Sequence, residues 1–307
     1  MESETMKKIA WSFLLMLATV SLLVSGPFAT QRKRGWDKSQ SSTTVRNEAR
    51  DCEDYDISFG WQRPLRDEEV RTVPLSVGLL LVEAAENGSV SVTGWERNEY
   101  SITACKAAID SGGRSATENL QRIRLVINGG NVSITGPDGS DWVAHLIIRV
   151  PSGAEVDLTA TNGPIDVRRV SGKVHARSVN GPVAVKDTSG EIRAETQNGP
   201  IDFRGSRGNL RLRAENGPIS VELTGNRWEG GELDASTQNG PVSLSLPANY
   251  QSAVRVDASE HSPVSCRASQ CRQSPRTWEH PSWIEFGGAN PVVRLSTVNG
   301  PVSIERN

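Results

Sequence analysis

Six short segments of this chain spell almost the same turn, and no bulk property limits its possible folds as much. They read TNGPI at 161–165, VNGPV at 179–183, QNGPI at 197–201, ENGPI at 215–219, QNGPV at 238–242 and VNGPV at 298–302. The first four Asn residues, at 162, 180, 198 and 216, stand 18 residues apart. A fixed period in this range marks a chain built from stacked, similar units.

The register holds on both sides of the turn. Six residues before each Asn stand Val156, Val174, Ile192, Leu210, Leu233 and Val293, and four before stand Leu158, Ala176, Ala194, Leu212, Ala235 and Leu295. Two before stand Ala160, Ser178, Thr196, Ala214, Thr237 and Thr297. After the turn come Ile165, Val183, Ile201, Ile219, Val242 and Val302, then, two residues on, Val167, Val185, Phe203, Val221, Leu244 and Ile304. Apolar or small residues at a spacing of two define a strand with one buried face, so each unit supplies two short strands.

Asn-Gly between strands usually closes a tight hairpin. Here Pro follows at once. A residue before Pro is pushed to extended ψ, and Pro has no N–H to give a hairpin ladder. The segment therefore reads as a corner, with Gly free to take an unusual φ and Pro opening the next strand. Repeated corners stack equivalent strands about 4.8 Å apart, and this places Asn162, Asn180, Asn198, Asn216, Asn239 and Asn299 in an internal ladder. A meandering antiparallel sandwich would not align them. The expected fold class is all-β, a single-chain β-solenoid of 18-residue coils with two short strands per coil.

The repeat is interrupted twice. The insertion NRWEG at 226–230 lengthens one unit to 23 residues and is expected to emerge as a loop, and between Pro247 and Asn290 the chain departs before the final unit. Upstream, NGSVSV (87–92), NGGNVSITG (128–136) and DWVAHLIIRVP (141–151) keep a looser alternation, and Ser115 with Glu118 matches a helix capping box.

The amino-terminal end points to export. Lys7 and Lys8 precede an apolar run from Ile9 to Val24, followed by Ser25, Gly26 and Ala29, the order of a secretory signal peptide. An uncleaved anchor is the alternative, and a membrane contact is expected only through this segment. The expected organisation is a signal peptide or anchor at 1–29, a flexible linker at 30–50 and a solenoid domain at 51–307. Within that domain, irregular coils span 51–150, regular repeats span 151–307, and a loop is inserted at 259–288. Four Cys in an exported chain are best read as two bridges. Three connectivities are open; Cys266 with Cys271 and Cys52 with Cys105 is preferred because the first pair is close in sequence. A zinc site lacks a flanking His or a second closely spaced Cys pair.

With 36% hydrophobic residues and a net charge of -2, the chain is globular and carries no basic excess, so no nucleic-acid partner is expected. Over a stretch from about Val73 to Asn307, NGSVSVTGWERNEYSITA, LIIRVPSGAEVDLTATNGPIDV, the serial NGP units and NGPVSLSLPANY resemble the bacterial putative-adhesin β-strand-repeat proteins, related in form to the GIN adhesins. That resemblance implies an exported β-solenoid with an adhesin-like or surface role and no established catalysis. It brings no catalytic residues, and the 259–288 loop lies outside it.

His145, His175, His261 and His280 fall in no catalytic or metal-binding motif, and neither a cofactor nor a metal is expected. The row Asp166, Ala184, Asp202, Ser220, Ser243 and Ser303 alternates carboxylates with small residues instead of accumulating them. That argues against a calcium-dependent polysaccharide lyase, the alternative function kept beside an envelope-associated regulatory sensor. Two outward rows are basic: His175, Arg193 and Arg211 before the turn, and Arg168, Lys186 and Arg204 after it. Residues 161–214 hold ten Lys or Arg against five Asp or Glu. Stacked like charges repel, so such rows suggest an anionic polysaccharide or another cell-surface component as partner. Trp278 and Trp283, in the 259–288 loop, are candidates for sugar or protein contact or for a lid on the stack.

Overall fold

Each stretch before an NGP turn lies in one sheet and each stretch after it in another. The computed structural model describes residues 41–45, 48–259, 262–272, 283–287 and 290–307. The expected signal segment at 1–29 lies outside the described residues. Among these residues the chain is mostly β, with two eleven-stranded sheets and a separate two-stranded one. We call the large sheets pre-turn and post-turn.

Through the middle of the molecule both sheets are parallel, and neighbours are offset by one repeat. In the pre-turn sheet Glu155–Ala160 pairs with Lys173–Ser178, which pairs with Glu191–Thr196 and then Asn209–Ala214, so that Val156 meets Val174 and Val174 meets Ile192. In the post-turn sheet Ile165–Arg168, Val183–Lys186, Ile201–Gly205 and Ile219–Leu223 follow the same offset. The apolar rows read from the sequence face inward on both sheets and form one continuous core, Leu158, Ile165, Ile201 and Leu212 being fully buried. Because the period is two, the intervening residues all face outward.

The corner differs from expectation in two respects. None of the NGP glycines has positive φ among the described backbone. They are required by close approach instead: a Cβ on Gly181 would lie 2.2 Å from the Gly163 carbonyl oxygen, and one on Gly199 2.3 Å from that of Gly181. Glycine thus occupies the inside of the corner, and Asn is turned outward. The amide column is therefore exposed, not internal: Asn180 Nδ2 donates to Asn162 Oδ1 at 2.9 Å, Asn198 to Asn180 at 3.0 Å, Asn216 to Asn198 at 3.0 Å, Asn239 to Asn216 at 2.9 Å and Asn299 to Asn239 at 2.8 Å. Asn162 donates to Asn87 at 3.1 Å, which adds a rung the NGP pattern does not contain. Inside, the hydroxyls of Thr196, Thr237 and Thr297 donate to the Gly carbonyl of the preceding unit.

A second corner closes the other end of each unit and was not read from the sequence, although Gly172, Gly190, Gly208 and Gly231 mark it eight residues before an Asn. The last three have positive φ. The NRWEG insertion is a loop with Asn226, Arg227, Glu229 and Gly230 exposed, but Trp228 turns inward: it is buried against Phe203 and its Nε1 donates to Gly208 O at 3.1 Å.

At both flanks spatial order departs from chain order. Leu79–Glu83 and Val90–Trp95 lie between the later Asn131–Thr135 and Trp142–Pro151 on one side and Glu155–Ala160 and Ile165–Arg168 on the other. At the opposite flank Val293–Asn299 and Val302–Arg306 lie between Leu233–Asn239 and Val242–Leu246 and the earlier Val254–Ala258 and Val264–Cys266. The stretch expected as an inserted loop thus supplies strands to both sheets. Antiparallel strands end the sheets at Leu65–Pro74, Arg124–Asn128 and Trp283–Phe286. The helix Ala116–Arg122 starts at the expected capping box, Glu118 N donating to Ser115 Oγ and Ser115 N to Glu118 Oε2. Part of the expected linker is ordered as well: Ser41–Val45 pairs antiparallel with Tyr55–Phe59. Two disulfides join Cys52 to Cys105 and Cys266 to Cys271.

Candidate functional site

The outer face of the pre-turn sheet lines up Asp157, His175, Arg193, Arg211, Asp234 and Arg294 in one row. The parallel pairing also sets Arg177 beside Glu195 and Glu195 beside Arg213 in the adjacent row. Most of these cations are tied. Glu195 holds Arg193 at 2.5 Å and Arg177 at 3.5 Å, Asp157 lies 3.3 Å from His175, and Asp234 holds Arg213 at 2.6 Å. Burial works to raise the Glu195 carboxyl, but the hydrogen bond and charge of Arg193 outweigh it and keep the group below the ordinary range. The hydrogen bond from Arg213 lowers Asp234 in the same way. Arg211 is exposed and forms no ion pair among the described residues.

The post-turn face carries Arg168, Lys186 and Arg204 in register, followed by Glu222. Arg168 is drawn away from solvent by Asp166, at 2.7 Å from Nη2, and by Glu48 at 3.8 Å. Arg204 pairs with Glu222 at 3.2 Å. Beyond it Asp202, Ser220 and Ser243 line a shallow groove of about 550 Å³ together with Lys186 and Arg204. The two basic rows therefore lie on opposite outer faces and do not form one site. Trp283 sits on the outermost pre-turn strand with the Arg255 guanidinium 5.2 Å from its ring centre, and it closes a sheet edge. Trp278, His261 and His280 lie outside the described residues.

One constellation escaped the sequence reading. His145 is 2% exposed and stacks on Tyr55, ring centres 4.4 Å apart. Ser89 N donates to its Nδ1 at 3.1 Å, and its Nε2 lies 3.2 Å from Thr43 Oγ1. Burial pushes the imidazole down to about 4 and the Tyr55 phenol up to about 12. Ser89, 5% exposed, gives this Ser–His contact no access to a substrate. The four residues are 102 positions apart at the extreme, so no spacing motif announces them.

No protein-family model matches the chain, and no curated protein matches it in sequence. Among solved structures, a putative cell adhesion protein from Clostridium sporogenes is 12% identical, with a TM-score of 0.34 over 80% of this chain and 100% of that one. A putative adhesin from Bacteroides fragilis is 9% identical, with a TM-score of 0.31 over 78% and 97%. A putative lipid binding protein from Parabacteroides distasonis gives 9%, 0.31, 78% and 97% in the same terms. At this distance the function rests on the residues of the chain itself.

Proposed function

We propose that the chain is an exported, non-catalytic β-solenoid scaffold that binds an acidic polymer along the outer pre-turn face. The observation that carries this reading is a charge surplus in register. Over the strands Lys173–Ser178, Glu191–Thr196 and Asn209–Ala214 the outward positions hold Lys173, Arg177, Arg193, Arg211 and Arg213, with His175, against Glu191 and Glu195. Glu155, Asp157 and Asp234 on the adjoining strands pair with Lys173, His175 and Arg213, and Arg211 is left exposed. Side chains at strand spacing, about 4.8 Å, suit a ligand whose charges also repeat along a line. An acidic polysaccharide meets that requirement.

Export is supported by the signal-like order of residues 1–29 and by the two disulfides, which persist in oxidising compartments. Residues 51–307 form the binding domain in this reading, and Trp283 acts as an edge cap instead of a sugar platform.

The test is retention on immobilised heparin and on a panel of acidic and neutral glycans at low and physiological salt. The wild-type chain should be held by acidic glycans only and released by salt. The variant Arg193→Glu with Arg211→Glu should elute early. Equal retention of the two proteins would sink the proposal.

A further inference from the structure

The hairpin Ser41–Val45 and Tyr55–Phe59 lies on the outer side of the post-turn sheet over its own apolar cluster, separate from the main core. Tyr55, Ile57 and Phe59 meet Ala107, Ile109, Val143 and Ile147 there. Cys52–Cys105 fastens the segment covalently. Its other ties are polar. Arg66 donates to Tyr55 O and Ile57 O at 3.0 and 3.3 Å, Arg149 donates to Arg50 O at 3.0 Å, and Glu48 lies 3.4 Å from Arg169.

His145 is the centre of this contact, and its geometry leaves no place for a second proton. A backbone amide can only donate, so the Ser89 N–H fixes Nδ1 as an acceptor and puts the ring proton on Nε2, where it donates to Thr43 Oγ1. A proton on Nδ1 would set N–H against N–H. Ser89 Oγ, 3.0 Å from the same nitrogen, could accept from it, but the amide conflict would remain. The ring cannot swing clear while Tyr55 lies flat upon it.

We propose that this hairpin is an acid-opened strap: protonation of His145 lifts Ser41–Val45 and Tyr55–Phe59 from the sheet, Cys52–Cys105 keeps them tethered, and the strip of Ala107, Ile109, Val143 and Ile147 is uncovered.

The charged groups nearby favour this direction. On its own strand Arg149 is occupied by Arg50 O, and on the next strand Lys106 turns to the opposite side, paired with Asp67 and Glu69. From the strap, Asp54 bears on the Tyr55 hydroxyl, as does Asp166 from the sheet, and Asp56 is exposed. None of them holds a charge on His145, whose shift comes from burial alone. Glu48 acts in parallel. Burial raises its carboxyl, but Arg50, Arg168 and Arg169 more than reverse this, so acid that reaches it also frees the strap from Arg168 and Arg169. The sign follows: the closed form binds the imidazole proton less tightly than the open form, so closure weakens as pH falls below about 6.5, and weakens no further once the closed form itself titrates near 4.

The experiment is hydrogen exchange of the oxidised full-length chain from pH 7.5 to 3.5, corrected for intrinsic rates, with the His145 ring followed by NMR in the same samples. Protection of amides 41–45 and 55–59 should fall roughly 100- to 300-fold at the acid end, while Glu191–Thr196 stays protected. The loss should build up from about pH 6.5 downward and level off near pH 4, where the ring resonance of the closed form titrates. His145→Gln, which can still accept from Ser89 and donate to Thr43 but does not titrate, should remove most of that loss, and Glu48→Gln should remove only the smaller part. If the strap stays protected while the ring protonates, or opens alike in His145→Gln and wild type, the proposal fails.

Discussion

Between Lys173 and Leu246 each unit stacks on the unit that precedes it in the chain, whereas at both flanks a unit is slotted between two others out of order. The middle is held by columns of equivalent atoms. Gly backs onto Gly, Asn amides chain along the outside, and Thr hydroxyls reach the carbonyl of the unit below. The flanks rely on other means: both disulfides, the helix, the second apolar cluster and the antiparallel strands all lie there. A parallel stack left open would present unpaired strand edges to other molecules. At the amino-terminal flank the final strand, Leu65–Pro74, carries Arg66, Asp67, Glu68, Glu69 and Arg71 and discourages further pairing. The same strand pattern therefore serves two purposes, propagation in the middle and termination at the ends.

That contrast can be broken most severely at a corner glycine. Gly199→Ala forces a Cβ into the Gly181 carbonyl and should destabilise the protein by about 3 kcal/mol or more in denaturant unfolding. Gly78→Ala, in the amino-terminal flank with nothing within 4 Å of the added Cβ, should change stability by less than about 0.5 kcal/mol. Similar losses for the two would mean that the corner column is not tightly packed. Replacing Cys52 and Cys105 together by Ser should cost about 2–4 kcal/mol. Hydrogen exchange should place that loss in 41–59 and leave the middle protected.

The amide column offers a graded version of the test. Asn198→Ala removes two rungs and should cost about 1–2 kcal/mol, and Asn87→Ala at the end removes one and should cost about half as much. Equal effects would show that the rungs do not act as a column. The smallest change should come from the outer charges. Glu195→Gln should cost less than about 1 kcal/mol, and the difference should vanish in high salt. Glu195 and Asp234 are held below their ordinary range in the folded state, so their contribution is present at neutral pH. It is lost as pH falls through their folded values, and urea midpoints across that range would read it.

Much of the middle was legible because a period of two within a period of 18 fixes both the face and the neighbour of every side chain. Val174 can only lie inward, and only Val156 and Ile192 match its place in adjoining units. The second corner was equally legible at Gly172, Gly190 and Gly208, but a Gly beside varied residues draws less notice than NGP. The site was legible as rows and not as charges. Lys186 and Arg168 share one row, yet Arg168 is neutralised by Asp166, two residues before it on the same face, and secondarily by Glu48, which no local pattern brings to it. His145 and Tyr55 were not legible as partners, since their stacking depends on a hairpin folding onto the outer face of a sheet whose strands are far away in sequence.

By itself the amino-acid sequence determined the inward rows, the corners and the 18-residue offset, because each follows from spacing along one short segment. Only the tertiary structure decided which unit lies next to which at the flanks, that Gly takes the inside of the corner and Asn the outside, and which cations keep their charge free. Near-identical units fit one another almost equally well, so their pairing energies barely distinguish one order from another. The choice falls to long-range packing, strand termination and the disulfides.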